Sequence, residues 1–255
     1  MELWQDQGIV LSARPHGENG AVISVLTVHN GRRLGYVRGI HTQKIRGTLE
    51  PGSLVDARWQ ARTADSLGTF SLELSRGAAA PLLGEPLKLA ALQSACALSD
   101  AAIPEREGGE GVFQGLKALL EMLDSDIWGE AYVMWEIALL REMGFPLALD
   151  RCAGGGESTD LAYVSPKTGR AVSKAAGEPY KERLLPLPGF LRPGSVGEDG
   201  KEGVLEGLKL TACFLEHWVF AHHTRGVPEF RRVFQQKIEK SLGFSDALTL
   251  NNAHG

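Results

Sequence analysis

Over the first 80 positions apolar residues alternate with polar ones or come in short runs; beyond about residue 85 they recur with a helical period. The early runs are Gly8-Ile9-Val10-Leu11, then residues 21–28 and 34–40, followed by 54–61 and 69–74. Between them lie His16-Gly17-Glu18-Asn19-Gly20, His29-Asn30-Gly31-Arg32, Pro51-Gly52 and Leu67-Gly68, all rich in turn-forming residues. Asn30-Gly31 between two β-rich runs is the strongest hairpin signal in the chain. The spacing predicts five short strands in a small closed barrel, a pattern that an OB-fold and an SH3-like barrel fit equally well.

In the second part, Val112, Leu116, Leu119, Leu120 and Leu123 share one helical face. Residues 127–144 are apolar nearly all round, which predicts the central buried helix of a bundle. Leu205, Leu208, Ala212, Leu215 and Val219 form another stripe, and residues 231–242 read as a shorter basic helix. Between Leu149 and Pro193 the pattern breaks into glycine, proline and polar residues, which predicts a loop-rich insert, and the last dozen residues read as frayed. The expected organisation is multidomain α+β: a β-barrel over residues 1–80, then an all-α domain over 81–245 with the insert at about 150–193.

Composition narrows the class without naming a function. Hydrophobic residues make up 43% and charged residues 23%, as in ordinary globular proteins, and 31 glycines without a period exclude a collagen-like repeat. Three scattered cysteines, Cys96, Cys152 and Cys213, are too few for a disulfide framework. No basic leader with a long apolar stretch opens the chain, and no run long enough for a membrane helix occurs, so the expected location is cytoplasmic.

Charge position says more than charge total. The net charge is −4, yet the window from Arg14 to Arg62 holds eight basic residues against three acidic ones, Glu18, Glu50 and Asp56. Seven of the eight cations are arginines, suited to forked contact with phosphates and to stacking. A solvated surface that happens to be basic is the plain alternative to a polyanion site. Only Tyr36 and Trp59 in this window could stack on bases, so backbone electrostatics are expected to outweigh stacking.

Four motifs follow one another in order: Gly8-Ile9-Val10-Leu11, Arg14-Pro15-x-Gly17-Glu18, Gly31-Arg32-x-x-Gly35-x-Val37-Arg38-Gly39 and Leu49-x-Pro51-Gly52. They resemble the N-terminal domain of the RecO family of bacterial DNA repair and recombination mediators. Arg141-Glu142-x-Gly144-Phe145-Pro146-Leu147-x-Leu149-Asp150-Arg151-Cys152 resembles the family's central helix running into its zinc region. Residues 161–172, from Leu161 to Val172, and Leu184-Leu185-Pro186-Leu187-Pro188 match it as well.

The resemblance implies an N-terminal OB-fold that binds single- and double-stranded DNA, and a helical C-terminal domain. It implies a non-enzymatic mediator that anneals complementary strands. With RecR, and in some members RecF, such a protein helps load RecA onto DNA coated by single-stranded DNA-binding protein, nucleoid-associated during repair. Mapped onto this chain, the expected DNA contacts are Arg14, Arg32, Arg33 and Arg38, together with Lys44, Arg46 and Arg62; Arg58 ranks below them because its strand face is undetermined. A protein-interaction adaptor with incidental DNA contact is the competing class.

Some members carry two Cys-x-x-Cys pairs that hold structural zinc. Here the first reads Cys152-Ala153-Gly154-Gly155 and the second region reads Val172-Ser173-Lys174-Ala175, with no histidine between 152 and 200. The expectation is therefore no metal and no cofactor, with the insert held by packing of Leu161, Tyr163, Val172 and Leu184.

The other constellations have plain readings. Cys213 and His217, four apart on a helix, could be imagined as a nucleophile and base, but no third orienting group is signalled. Gly154-Gly155-Gly156 lacks the Gly-Lys-Ser/Thr of a phosphate loop, and Pro166-Lys167-Thr168-Gly169-Arg170 lacks the glycine spacing. Trp128, Tyr132 and Trp135 form an aromatic stripe expected in a core. Arg231 and Arg232 on the C-terminal helix, and Arg141 on the central helix, are candidate docks for the acidic tail of single-stranded DNA-binding protein, against a simply solvated face.

Overall fold

The computed structural model describes residues 1–63, 66–154, 160–194 and 199–252, with side chains described as far as residue 243. The chain folds as two compact units: Met1–Ser125 with Pro228–Arg231, and Asp126–Val227 with the chain from Arg232 onward. The change of sequence texture near residue 80 thus falls inside the first unit. There the helices α2 (Pro86–Ala102) and α3 (Glu110–Met122) pack on the strands.

The first unit is built on β1 (Glu2–Pro15), β2 (Gly20–Thr27), β3 (Arg32–Arg38), β4 (Leu54–Ala61) and β5 (Gly68–Arg76), with a short helix α1 (Gln43–Thr48) between β3 and β4. The order of hydrogen-bonded neighbours is β1-β2-β3-β5-β4, and β1 also pairs with β4. One long strand does both jobs. Residues 2–9 of β1 pair with β4, residues 8–15 pair with β2, and an irregularity between Val10 and Ser12 bends the strand between its two partners. The β3–β5 seam is much shorter than the other ladders: two parallel pairs, Gly35 with Gly68 and Tyr36 with Thr69.

Alternation decides what is inside. In β4 the residues Val55, Ala57, Trp59 and Ala61 are buried while Asp56, Arg58 and Gln60 are exposed. Val10, Ile23, Val25, Val37 and Phe70 complete the interior. Full burial of such a side chain stabilises by about 1.5–3 kcal/mol, so this interior sets the register of every strand. Trp4 stacks on Trp59 with ring centroids 5.4 Å apart, and Phe70 meets Trp4 edge-on.

The predicted hairpin at Asn30-Gly31 is present between β2 and β3, with a longer loop than two residues. Thr27 N–H and Thr27 Oγ1 both donate to the Gly31 carbonyl, and Gly31 sits at φ +65°. A side chain there would also meet the Glu107 carbonyl at 2.5 Å, so only glycine fits. Asp6 on β1 holds the loop from below: its carboxylate accepts the backbone N–H of His29 and of Asn30, and the Asn30 side-chain amide.

In the second unit α4 (Trp128–Glu142) is the expected central helix, with Tyr132, Val133, Leu139 and Leu140 fully buried. It packs on α6 (Gly200–Phe214), where Thr211 Oγ1 donates to the buried Glu136 carboxylate. Of the aromatic stripe, Tyr132 and Trp135 are buried as expected and Trp128 is half-buried; Phe234 of α7 (Glu229–Asn252) lies 4.6 Å from Tyr132 and 6.2 Å from Trp128 between ring centroids.

Two expectations need correction. The stretch 150–193 is not simply loop: β6 (Leu161–Val164) pairs with both β7 (Ala171–Ser173) and β8 (Leu185–Pro186), and α5 (Lys174–Gly177) follows β7. Leu161, Val164, Ala171 and Leu187 are buried there, whereas Tyr163, Val172 and Leu184 are only half-buried. Strands of four, three and two residues are too short to print a period in the sequence. The C-terminal helix is also longer than residues 231–242 and continues to Asn252 instead of fraying; residues 253–255 lie outside the described ones.

Candidate nucleic-acid interface

The basic residues of the strand unit divide into two groups. At the start of β3 the cations are already engaged. Arg32 donates from Nε to the Ile103 carbonyl at 2.6 Å, and from Nη1 to Ser24 Oγ and to Asp100 Oδ1, both at 3.2 Å. Asp100 also accepts from Ser12 Oγ at 2.8 Å. The backbone of Arg32 bonds on both sides to the connection between α2 and α3, its N–H to Glu107 O and its carbonyl from Arg106 N. Arg32 therefore fastens the C-terminal end of α2 to the sheet, where a cation also meets the negative end of the helix dipole. Arg33 points the other way: its guanidinium lies 5.4 Å from the Trp59 ring centroid and 6.0 Å from that of Trp4, with Nε donating to Asn30 O and Glu2 3.8 Å away. Both side chains are only 13% exposed.

At the other end of β3 the cations are bare. Arg38, Lys44 and Arg46, on the last residue of β3 and on α1, are exposed, and among the described residues none has an acidic partner. Arg62, just past β4, is likewise exposed. Arg14 touches Asp100 at 3.5 Å, but its side chain is 71% exposed, a contact worth little in water. Arg58 belongs with this group. Its neighbour Trp59 points inward, so the strand period turns Arg58 outward, where it lines an open cleft with Gln5, Lys44, Asp56, Ser71 and Glu73. That signal was present in the sequence, since a tryptophan in an alternating run fixes the face of its neighbours.

Comparison with known proteins gives the family of the chain. Residues 1–77 match the family model described as Recombination protein O N terminal, and residues 83–226 match the one described as Recombination protein O C terminal. The DNA repair protein RecO of Rhodospirillum centenum is 51% identical over 240 residues, covering 93% of this chain and 95% of its own length. The proteins of that name from Rhodospirillum rubrum (44% over 243 residues, 93% and 96% covered) and Caulobacter vibrioides (42% over 229 residues, 89% and 94% covered) are similar over nearly the same span. The chain belongs to the RecO family.

Within this RecO-family chain the remaining candidates sort by burial. Arg231 is 1% exposed and so does not offer its guanidinium to a partner at the surface; an arginine next to Arg232 at the start of a helix gave no sign of this. Arg232 is exposed, and Arg141 is exposed beside Glu142 at 3.9 Å.

The Cys213–His217 pair is arranged against nucleophilic chemistry. His217 Nδ1 lies 2.7 Å from the Cys213 carbonyl oxygen, to which it can only donate, while the thiol is 3.8 Å away. Burial, with the Glu216 charge adding to it, pushes the thiol pKa up, which keeps it protonated. Cys152 is used as an acceptor: the backbone N–H groups of Gly154 and Ser173 point at its sulfur at 3.3 and 3.2 Å. Gly155 and Gly156, part of the triple glycine, lie outside the described residues. Among the described residues no cluster of three or more histidine, cysteine or acidic side chains is placed to hold a metal ion, and no helix is long and apolar enough to cross a membrane.

Proposed function

We propose that the chain acts in DNA repair and recombination as a non-enzymatic mediator: its strand unit, of the OB type, binds single- and double-stranded DNA and anneals complementary strands. With RecR, and with RecF where present, it would help load RecA onto DNA coated by single-stranded DNA-binding protein. The observation that carries this reading is the set of exposed cations with no acidic partner among the described residues, Arg38, Lys44, Arg46 and Arg62, joined by Arg58 and Arg14. Cations that no carboxylate neutralises can replace counterions along two phosphate backbones, which lowers the repulsion between strands and lets base pairing complete the annealing. On the helical unit, Arg141 and Arg232 would receive the acidic tail of the coating protein.

Simultaneous replacement of Arg38, Lys44 and Arg46 by alanine should weaken binding to all DNA sequences alike. It should also shallow the log–log salt dependence by about 3 on duplex, at roughly 0.9 per phosphate contact. Unchanged affinity and slope in this variant would remove the assignment. Annealing of strands pre-coated with single-stranded DNA-binding protein, with and without the chain, tests the mediator role directly.

The cleft containing Arg58 and Lys44 also holds Asp56 and Glu73. This mixed charge favours a second reading, a protein-interaction surface on a chain with only incidental DNA contact. That reading expects no binding of short DNA at about 0.15 M salt, where exposed charges interact over only about 8 Å.

A further inference from the structure

We infer that Tyr36 is a stacking platform for an unpaired base, and that it gives the strand unit a preference for single-stranded polynucleotide over duplex. The inference rests on the reading that this unit binds DNA. Cross-strand partners fall on the same face of a sheet, and the register lines up Arg14 of β1, Val22 of β2, Tyr36 of β3 and Thr69 of β5 in one row. This face is the outer one, because the neighbours Ala13, Ala21, Ile23 and Val37 point into the interior. Arg38, two residues on, lies on the same outer face and is exposed.

The ring is seated in a way that side-chain packing does not require. Gly20 stands across the ladder from Arg38, diagonal to Tyr36. A Cβ at Gly20 would fall 1.8 Å from the Tyr36 hydroxyl oxygen and 2.1 Å from Cζ, so the hydroxyl end of the ring occupies the space that a side chain at position 20 would fill. The His16 ring meets it edge-on, at 6.2 Å between centroids and 85° between planes. Tyr36 is thus seated over Gly20 with the His16 ring perpendicular to it, while the side chain remains half-buried and its hydroxyl has no hydrogen-bond partner among the described residues. Trp59, the other aromatic in the basic window, is 1% exposed and cannot stack on anything outside.

An aromatic ring seated on backbone, with Arg14 and Arg38 on the same outer face, is what an unstacked base and its flanking phosphates require. Stacking tolerates every base, because each has a π-face, so the platform adds affinity without sequence preference. A duplex keeps its bases stacked on one another and offers phosphates only, so it gains from the cations and not from the ring. Base stacking then contributes beside backbone electrostatics, more than the scarcity of aromatics in the sequence suggests.

The test uses the full chain and a fluorescein-labelled oligothymidylate of about 20 nucleotides, longer than the site of one such unit, against a duplex of equal length. Tyr36→Leu should weaken oligothymidylate binding about ten-fold and leave duplex binding within two-fold, while Tyr36→Phe should bind both as the parent does. Because the leucine variant could disturb the sheet, the parent chain is also photo-cross-linked to oligothymidylate carrying 5-iodouracil, and the attachment should map to Tyr36. Equal loss on both DNAs in Tyr36→Leu, unchanged oligothymidylate binding, or cross-links only at other peptides would each overturn the platform. If the parent chain binds neither DNA at about 0.15 M salt, it is the DNA-binding reading itself that fails.

Discussion

The two ends of β3 carry the same kind of residue and put it to opposite uses. At the first end Arg32 and Arg33 are drawn inward, one to Asp100, Ser24 and the Ile103 carbonyl, the other onto the Trp4–Trp59 stack. At the second end Arg38 stands in solvent next to a tyrosine lying on Gly20. Charge counted along the chain therefore overstates charge offered to a partner. What separates the ends is the presence of acceptors: α2 delivers a carboxylate and a helix-end carbonyl to one end, while the cations of the other receive only the outlying 3.5 Å contact of Asp100 with exposed Arg14 among the described residues.

The largest effect should come from Arg32→Ala. It leaves Asp100 partly buried with Ser12 and the outlying Arg14, and leaves the Ile103 carbonyl without its guanidinium. The expected loss is roughly 2–4 kcal/mol in denaturant unfolding, with little change in DNA affinity measured on the folded fraction. If Arg32→Ala kept its stability and lost DNA binding, the contrast between the ends would be reversed.

Asp6→Ala should come next, at roughly 1–3 kcal/mol, because the His29 and Asn30 donors lose their acceptor. Its pH dependence has a definite sign. Burial pushes the Asp6 carboxyl up, but the His29 N–H, the Asn30 amide and the His29 ring outweigh it and hold the pKa below the ordinary aspartate value. The charged form is therefore favoured by folding. The stability difference between parent and variant should be full above the usual aspartate range and should shrink as pH falls through the lowered value. A difference that grows on acidification would contradict the arrangement at this end.

The smallest effect on the fold should be Arg38→Ala, within about 0.5 kcal/mol, since the side chain is exposed without a partner among the described residues. Its effect should instead be read in DNA binding, as a shallower salt slope by about 0.9 on duplex. Loss of stability without a change of slope would show that this end, too, is structural.

The strand unit was legible because alternation is a strong local signal: Val55, Ala57, Trp59 and Ala61 declare an inner face without outside help. The basic window was legible as a position, but not as a surface. Arg32 meets Asp100 and Ile103 across 68 and 71 residues of sequence, and no local pattern announces such a pairing. The buried Glu136 on α4, held by Thr211 at a separation of 75, escaped for the same reason. Tyr36 was visible only as one aromatic among cations; its role depends on Gly20, which reads in sequence as an ordinary turn glycine.

The Arg32 anchorage has one more effect, on the edge of the sheet. Because β5 pairs with β3 only at Gly35 and Tyr36, the first residues of β3 would present an unpaired backbone edge. The α2–α3 connection lies along it, bridging Arg32 to Glu105 in parallel and closing both backbone groups of Arg32, with Arg106 bent to φ 70° to do so. An open edge is a template for pairing with another chain. Fixing this segment with the Arg32 side chain caps the strand against self-association, so a chain that lost the anchor would be expected to aggregate through β3 before it unfolded completely.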